Sequence, residues 1–205
     1  MNQLKDENAL VYVVDDDLAV RDSLGLLLRS VGIKNETYES AAAFLDAFEP
    51  DRVACLVADI RMPGMTGLEL QQELNSRKVA IPIIFITGHG DVPMAVSAMK
   101  DGAVDFLTKP FRDQELLDRI SKALTGARAD FGDQQKQRDV RNRYASLTPR
   151  ETEVMDLVVQ GLANKVIAMD LGVSQRTVEL HRARVMQKMA VRSLAELVRQ
   201  AEVLK

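Results

Sequence analysis

Short apolar runs alternate with amphipathic stretches through the first 124 residues, and that alternation leaves few folds open. Leu10-Val11-Tyr12-Val13-Val14 is a strand candidate, and Asp15-Asp16-Asp17 follows at once. Residues 19–31 place Val20, Leu24, Leu27, Leu28 and Val31 at spacings of three and four, which marks one face of a helix. Gly32 is a fitting stop. A second helix is expected over 40–48, ended by Pro50. The run Cys55-Leu56-Val57-Ala58 closes on Asp59, with Met62-Pro63-Gly64 just beyond, as for a buried strand. Residues 68–75 read as a helix. Ile81-Pro82-Ile83-Ile84-Phe85-Ile86 reads as another buried strand, with Pro82 tolerable near its start. It ends at Thr87-Gly88-His89-Gly90. Residues 92–100 are helical as far as Gly102. Ala103-Val104-Asp105-Phe106-Leu107 is a last short strand before Thr108-Lys109-Pro110-Phe111, and a helix over 113–124 closes the unit. Read as five alternations of strand and helix, the pattern predicts an α/β doubly wound, five-stranded parallel sheet. Right-handed crossovers would put helices on both faces.

In such a sheet the carboxyl ends of the strands share one edge, where ligands bind. Asp15, Asp16, Asp59, Thr87 and Lys109 all lie at or just past such ends, so they form one candidate cluster. Taken alone, Asp59 is more commonly a solvated turn residue; the other four change that reading. Three carboxylates packed together repel and raise one another's pKa. A hard divalent cation with oxygen ligands relieves the repulsion, and magnesium (or manganese) suits one or two carboxylates, waters and a phosphate. Lys109 adds a fixed positive charge, and Thr87 a hydroxyl for a phosphoryl oxygen. A carboxylate nucleophile, a metal site, an ammonium and a hydroxyl are the parts needed to accept a phosphoryl group on Asp59. The competing enzyme reading is a phosphohydrolase with an aspartyl-phosphate intermediate. That chemistry wants a second acid close after the nucleophile, and residue 61 is Arg.

These residues resemble the receiver domain of two-component response regulators over 8–124. Asp59-Ile60-Arg61-Met62-Pro63-Gly64, Thr87-Gly88-His89-Gly90-Asp91-Val92-Pro93 and Lys109-Pro110-Phe111 resemble its FixJ branch. The resemblance implies that Asp59 is the phosphoacceptor. It implies that Asp15, Asp16, Asp59 and the backbone carbonyl of Arg61 hold the metal, that Lys109 and Thr87 contact the phosphoryl group, and that Phe106 is the switch aromatic. It also implies no enzyme activity beyond self-phosphotransfer and slow autodephosphorylation at Asp59. Phosphorylation adds about −1.5 to −2 charges. Thr87 can then follow the phosphoryl group inward and Phe106 fill the space, remodelling the surface shared by the fourth helix and fifth strand. The expected partners are a sensor histidine kinase and, through that face, a second copy of the chain.

The net charge of −3 hides an asymmetry. Residues 1–124 carry 13 Lys and Arg against 20 Asp and Glu, a balance of −7; residues 125–205 carry 14 against 10, a balance of +4. The basic part is the candidate for nucleic acid. Before it, residues 125–143 are polar and Gln-rich: either a loose linker or an exposed extension of the preceding helix.

Leu147-Thr148-Pro149-Arg150-Glu151 opens a helix with Thr148 as N-cap, Pro149 at its first position and Glu151 completing a capping box. Val154, Leu157 and Val158 give its apolar face, and Gly161 ends it. A short helix over 164–171 stops at Gly172, and Ser174 caps a longer one over 175–189. A second capping box, Ser193-Leu194-Ala195-Glu196, opens a final helix to residue 203. The helices joined through Leu171-Gly172-Val173-Ser174 read as a helix-turn-helix, whose second helix enters the major groove of double-stranded DNA. Val178, His181, Val185 and Met189 share an inward stripe. Arg176, Glu179, Leu180, Ala183, Arg184 and Gln187 fall opposite, with Arg182 and Lys188 at the flanks for phosphates. An Arg reads guanine, and Glu179 can accept from cytosine. On these residues alone, a four-helix domain with a solvated basic face stays open.

Leu147-Thr148-Pro149-Arg150-Glu151, Asn164-Lys165-Val166-Ile167-Ala168 and Thr177-Val178-Glu179-Leu180-His181 resemble a LuxR-type output domain over 144–203. The resemblance implies promoter binding, with Lys165 and Arg182 on the DNA backbone, Thr177 among the DNA-facing residues and His181 packed. Ala163 stands where a hydroxyl residue is usual, a lost helix cap worth about 1 kcal/mol. The expected organisation is a receiver over 1–124, a linker over 125–143 and a helix-turn-helix domain over 144–205. No apolar run approaches the roughly 18 residues of a membrane span. The acidic N-terminus is no signal peptide, and the lone Cys55 excludes an internal disulfide. Together these predict a cytoplasmic protein without membrane contact.

Overall fold

The computed structural model describes residues 9–50, 52–88 and 92–204; His89, Gly90 and Asp91 of the expected strand-end motif and the acidic N-terminal segment lie outside them. The chain divides into two compact units, 1–131 and 132–205. In the first, β1 (Leu10–Val14), α1 (Leu18–Ser30), β2 (Lys34–Tyr38), α2 (Ala41–Ala47), β3 (Ala54–Asp59), α3 (Gly67–Ser76), β4 (Ile83–Thr87), α4 (Val92–Lys100), β5 (Asp105–Thr108) and α5 (Asp113–Ala145) follow in order. All strand pairs are parallel, in the order β2-β1-β3-β4-β5. The step from β1 across to β3 is the topological switch point at which open sheets of this order bind ligands.

The apolar runs are continuous because both faces are covered. Val11, Val13, Cys55, Val57, Ile84 and Ile86 pack with Leu24 and Leu28 of α1 and Leu116 and Ile120 of α5. The alternate residues Leu10, Tyr12, Leu56, Ala58 and Phe85 pack with Phe44 of α2, Leu70 and Leu74 of α3 and Ala98 of α4.

β2 corrects the strand reading. Lys34-Asn35-Glu36-Thr37-Tyr38 has no apolar run, because an edge strand with one neighbour keeps much of its surface in water. The five site candidates stand at the ends of the four other strands. β4 begins at Ile83, one residue after Pro82, whose carbonyl accepts from the Leu56 N–H at 2.9 Å. β5 begins at Asp105, because Ala103 is used to close α4: its N–H donates to Ala98 O at 2.9 Å.

The stretch over 125–143 is helical, continuing α5 without a break to Ala145. Ala127 and Phe131 pack on the core of the first unit, and Val140 and Tyr144 on that of the second. Residues 133–139 between them are exposed.

The second unit adds α6 (Pro149–Val159), α7 (Asn164–Asp170), α8 (Gln175–Lys188) and α9 (Leu194–Glu202) around Val154, Val158, Ile167, Val178, Val185, Met189 and Leu197. Thr148 and Glu151 form the full capping box. At α9 only half of the expected box forms. Ser193 accepts from the Glu196 N–H, but the Glu196 carboxylate accepts from the N–H of Arg192 at 2.7 Å, not from that of Ser193. Ala163 gives α7 no side-chain cap, as its lack of a hydroxyl requires.

Within α5, Gly132 has open space where a Cβ would stand. Gly132→Ala is expected to stabilise the exposed turns by roughly 0.5–1 kcal/mol. Hydrogen exchange of the amides over 134–138 should slow several-fold; an unchanged rate would contradict a helix there.

Candidate functional site

The Asp15-Asp16-Asp17 run leaves β1 and enters α1, and its three carboxylates do three things. Asp17 caps α1, accepting from the Ala19 N–H at 2.8 Å. Asp16 is exposed. Asp15 is 0% exposed and accepts from the Asp17 N–H at 2.9 Å and from Lys109 Nζ at 2.7 Å. Lys109, just past β5, donates a second bond to Asp59 Oδ2 at 2.9 Å. The other oxygen, Asp59 Oδ1, accepts from the Arg61 N–H at 3.0 Å. Asp59 is thus oriented at both oxygens, yet at 9% exposure it keeps contact with solvent.

One ammonium bonds two of three carboxylates, Asp15, Asp16 and Asp59, each of which offers an oxygen within 4.8 Å of the others. Burial pushes the Asp15 carboxyl above its ordinary value, and the bonds from Lys109 and the Asp17 N–H oppose that shift without cancelling it. Burial pulls Lys109 down, but its bonds to Asp15 and Asp59 outweigh this and leave it raised. The cluster carries a surplus of negative charge in a partly dry site. Three carboxylates with surplus charge suit a hard divalent cation. Of Arg61, whose carbonyl the family resemblance offers as a metal ligand, the backbone N–H bonds Asp59.

Thr87 ends β4 and is buried. Its carbonyl accepts from the Lys109 N–H at 2.8 Å, which seats Lys109 beside it. Phe106 is half-buried, stands opposite Phe85 across the β4–β5 ladder, and packs on the core beneath α4. Asp15, Asp16, Asp59 and Lys109 therefore meet, with Thr87 held to the Lys109 backbone.

Two contributors escaped the sequence reading. Arg21 Nη1 donates to Asp15 O at 2.7 Å, fixing the turn from β1 into α1; an Arg on a helix face gives no sign of such a bond. Gly67, the first residue of α3, donates its N–H to Ile60 O at 2.9 Å. A Cβ there would stand 2.3 Å from Asp59 O and 3.0 Å from Ile60 Cα. Its signal was a glycine eight residues after Asp59, at a helix start where a glycine needs a reason.

In the second unit α7 and α8 form the helix-turn-helix. Gly172 takes φ +65°, a conformation costly for residues with a Cβ, which closes the turn. Ser174 Oγ then caps α8, accepting from the Thr177 N–H at 3.1 Å. Arg176, Glu179, Leu180, Ala183, Arg184 and Gln187 are exposed as expected, and Val178, Val185 and Met189 are buried. Ser174, Arg176, Thr177, Glu179 and Leu180 line one open hollow. Leu180 is 52% exposed. Lys165 is exposed at the start of α7. Arg182 donates one of its five N–H groups to Asn164 Oδ1 at 3.1 Å. Lys188, expected at a phosphate, donates Nζ to Glu151 Oε2 at 2.7 Å and to Ser146 O at 2.9 Å, because a buried carboxylate stands within its reach.

Residues 11–121 match the family model described as the response regulator receiver domain, and residues 145–201 match that of the bacterial regulatory proteins of the luxR family. The chain is 50% identical to Nodulation protein W of Bradyrhizobium diazoefficiens over 96% of its own length and 86% of that protein. It is 53% identical to the transcriptional regulatory protein FixJ of Azorhizobium caulinodans over 95% and 92%. Its fold is similar to the solved response regulator StyR, with a TM-score of 0.88 and 48% identity over 95% of this chain and 98% of that one.

Gly67→Ala should cost about 1–3 kcal/mol through the clash with the Asp59 backbone. Urea denaturation of the first unit measures it; a stability within ~0.3 kcal/mol of the parent would contradict the close approach.

Proposed function

Because the chain belongs to the NarL/FixJ-type response regulators, with a receiver domain and a LuxR-family DNA-binding domain, we propose that Asp59 is its phosphoacceptor and that the phosphoryl group governs promoter binding. The observation that carries this reading is the pair of hydrogen bonds from Lys109, one to Asp15 and one to Asp59. It holds Asp59 oriented and still reachable, while Asp15 is buried beside it.

In transfer, an Asp59 oxygen forms a new bond to phosphorus as the bond from phosphorus to the donor's imidazole nitrogen breaks. The leaving electron pair stays on that nitrogen. Lys109 can pass from Asp59 to a phosphoryl oxygen without losing Asp15, so its charge follows the charge that develops. The buried Thr87 hydroxyl, one strand away, is a donor for another phosphoryl oxygen. Asp15, Asp16, Asp59 and the Arg61 carbonyl would hold magnesium or manganese, which when bound supplies positive charge to the phosphoryl oxygens. The donor is a sensor histidine kinase, and hydrolysis at Asp59 is slow and serves only to reset the signal.

Thr87 and Phe106 carry the change to α4 and β5. Val96 and Met99 of α4 are 45% and 46% exposed, an apolar face suited to a second copy of the chain. Dimerisation there would pair two helix-turn-helix domains on two half-sites, with Arg176, Thr177, Glu179, Leu180 and Arg184 toward base edges and Lys165 and Arg182 toward phosphates. Among the described residues no helix is long and apolar enough to cross a membrane. A transcription regulator of this kind works in the cytoplasm.

Asp59→Asn removes the nucleophile but keeps the shape. Incubation with acetyl phosphate and magnesium should label the parent chain and leave the variant at background. Labelling that persists in the variant would place the phosphate on another residue.

A further inference from the structure

The Lys188 ammonium looks inward, and its partners lie on both sides of one joint. Ser146, whose carbonyl accepts at 2.9 Å, directly follows α5; Glu151, whose Oε2 accepts at 2.7 Å, belongs to the first turn of α6. Glu151 is 3% exposed, and the same Oε2 accepts from the Thr148 N–H at 2.9 Å in the capping box. The Lys188 bond is the largest cause holding the Glu151 carboxyl down, at about 2. One ion pair thus ties together the cap of α6, through the carboxylate, and the residue after α5, through the ammonium that ends α8.

The position of Lys188 along α8 gives that tie its leverage. Arg176 leads α8 and Lys188 ends it, twelve residues or roughly 18 Å along the axis. A tilt of about 10° around the anchored end moves the leading residues by about 3 Å, the length of a hydrogen bond. Breaking a buried ion pair leaves an uncompensated charge that must find water, and the easiest route is for the helix end to move.

We propose that Lys188 is a positioning residue, which aims the recognition helix by bracing its C-terminal end on Glu151 and the α5–α6 joint and does not contact DNA phosphate. This rests on the DNA-binding reading above. It differs from a phosphate role in sign and in salt dependence. Lys188→Met removes the ammonium, whereas Glu151→Gln removes only the carboxylate charge, since a Gln at this position still completes a capping box. Simple electrostatics makes E151Q bind DNA more tightly, because a negative charge is lost. Bracing makes it bind more weakly.

The test uses the full chain treated with acetyl phosphate and a duplex that the parent chain selects from a random pool, with a scrambled duplex as control. Affinities are measured between about 50 and 200 mM salt. K188M and E151Q should each bind the selected duplex about tenfold more weakly, with the parent's salt slope. Both should lose preference over the scrambled duplex, and the double variant should be no worse than either single one. A phosphate contact would instead lower the slope of K188M by about 0.9 per bound protomer, weaken both duplexes alike and leave E151Q as tight as the parent or tighter; that result overturns the proposal. Loss of the α6–α9 helices in both variants, followed by circular dichroism, also overturns it, because the pair would then hold the fold and not the aim. A parent chain that selects no duplex defeats the DNA-binding reading itself.

Discussion

Lys109 bonds Asp15 and Asp59 with one ammonium, and the receiver unit is arranged so that this is possible. The three residues come from the ends of β1, β3 and β5, separated by 44 and 50 positions in the chain. Only a parallel sheet with all its carboxyl ends on one edge brings them within hydrogen-bond reach. Parallel pairing in turn requires helices on both faces, and these bury the strands on both sides. The arrangement still leaves more negative charge than one ammonium can balance. That surplus suits a divalent cation. Under the proposed phosphorylation, a phosphoryl group arriving with about −1.5 to −2 charges would change the local energy steeply.

The two units share one structural habit. In each, a buried carboxylate is held by a lysine from a distant element: Asp15 by Lys109, and Glu151 by Lys188. In the receiver the lysine is shared with a second, reachable carboxylate, so the arrangement can be changed by chemistry. In the output domain the lysine also bonds a backbone carbonyl, and the arrangement resists change. The proposed switch and the proposed brace thus use the same pair of residue types. The difference lies in what else the ammonium holds: a second carboxylate in one, a backbone carbonyl in the other.

Much of this was legible in the residues themselves. The apolar strands were readable because they are buried on both faces. The site residues were readable because each polar residue ends an apolar run, where only the sheet edge can accommodate it. β2 was invisible for the opposite reason: an edge strand of Lys, Asn, Glu, Thr and Tyr has no pattern to find. The fate of residues 125–143 could not be decided either. Gly126 and Gly132 argue against a helix and the flanking residues for one; Phe131 and Val140, packed on the two cores, anchor the helix that forms. The bonds of Lys188 to Glu151 and Ser146 were not legible, because a helical-wheel position says which way a side chain starts, not what lies within reach of a long one. The pocket around Asp59 depends also on Gly67, whose role rests on a backbone approach that no side-chain pattern announces.

On the proposed function, the phosphoryl state of the carboxylate at the end of β3 sets the DNA affinity of a helix that begins after Ser174. The affinity of the full chain for one selected duplex, at one stated salt concentration, before and after phosphorylation, tests this. Phosphorylation is expected to tighten binding at least about tenfold, a coupling of ~1.4 kcal/mol or more. Equal affinities for the bare and fully phosphorylated chain would contradict it.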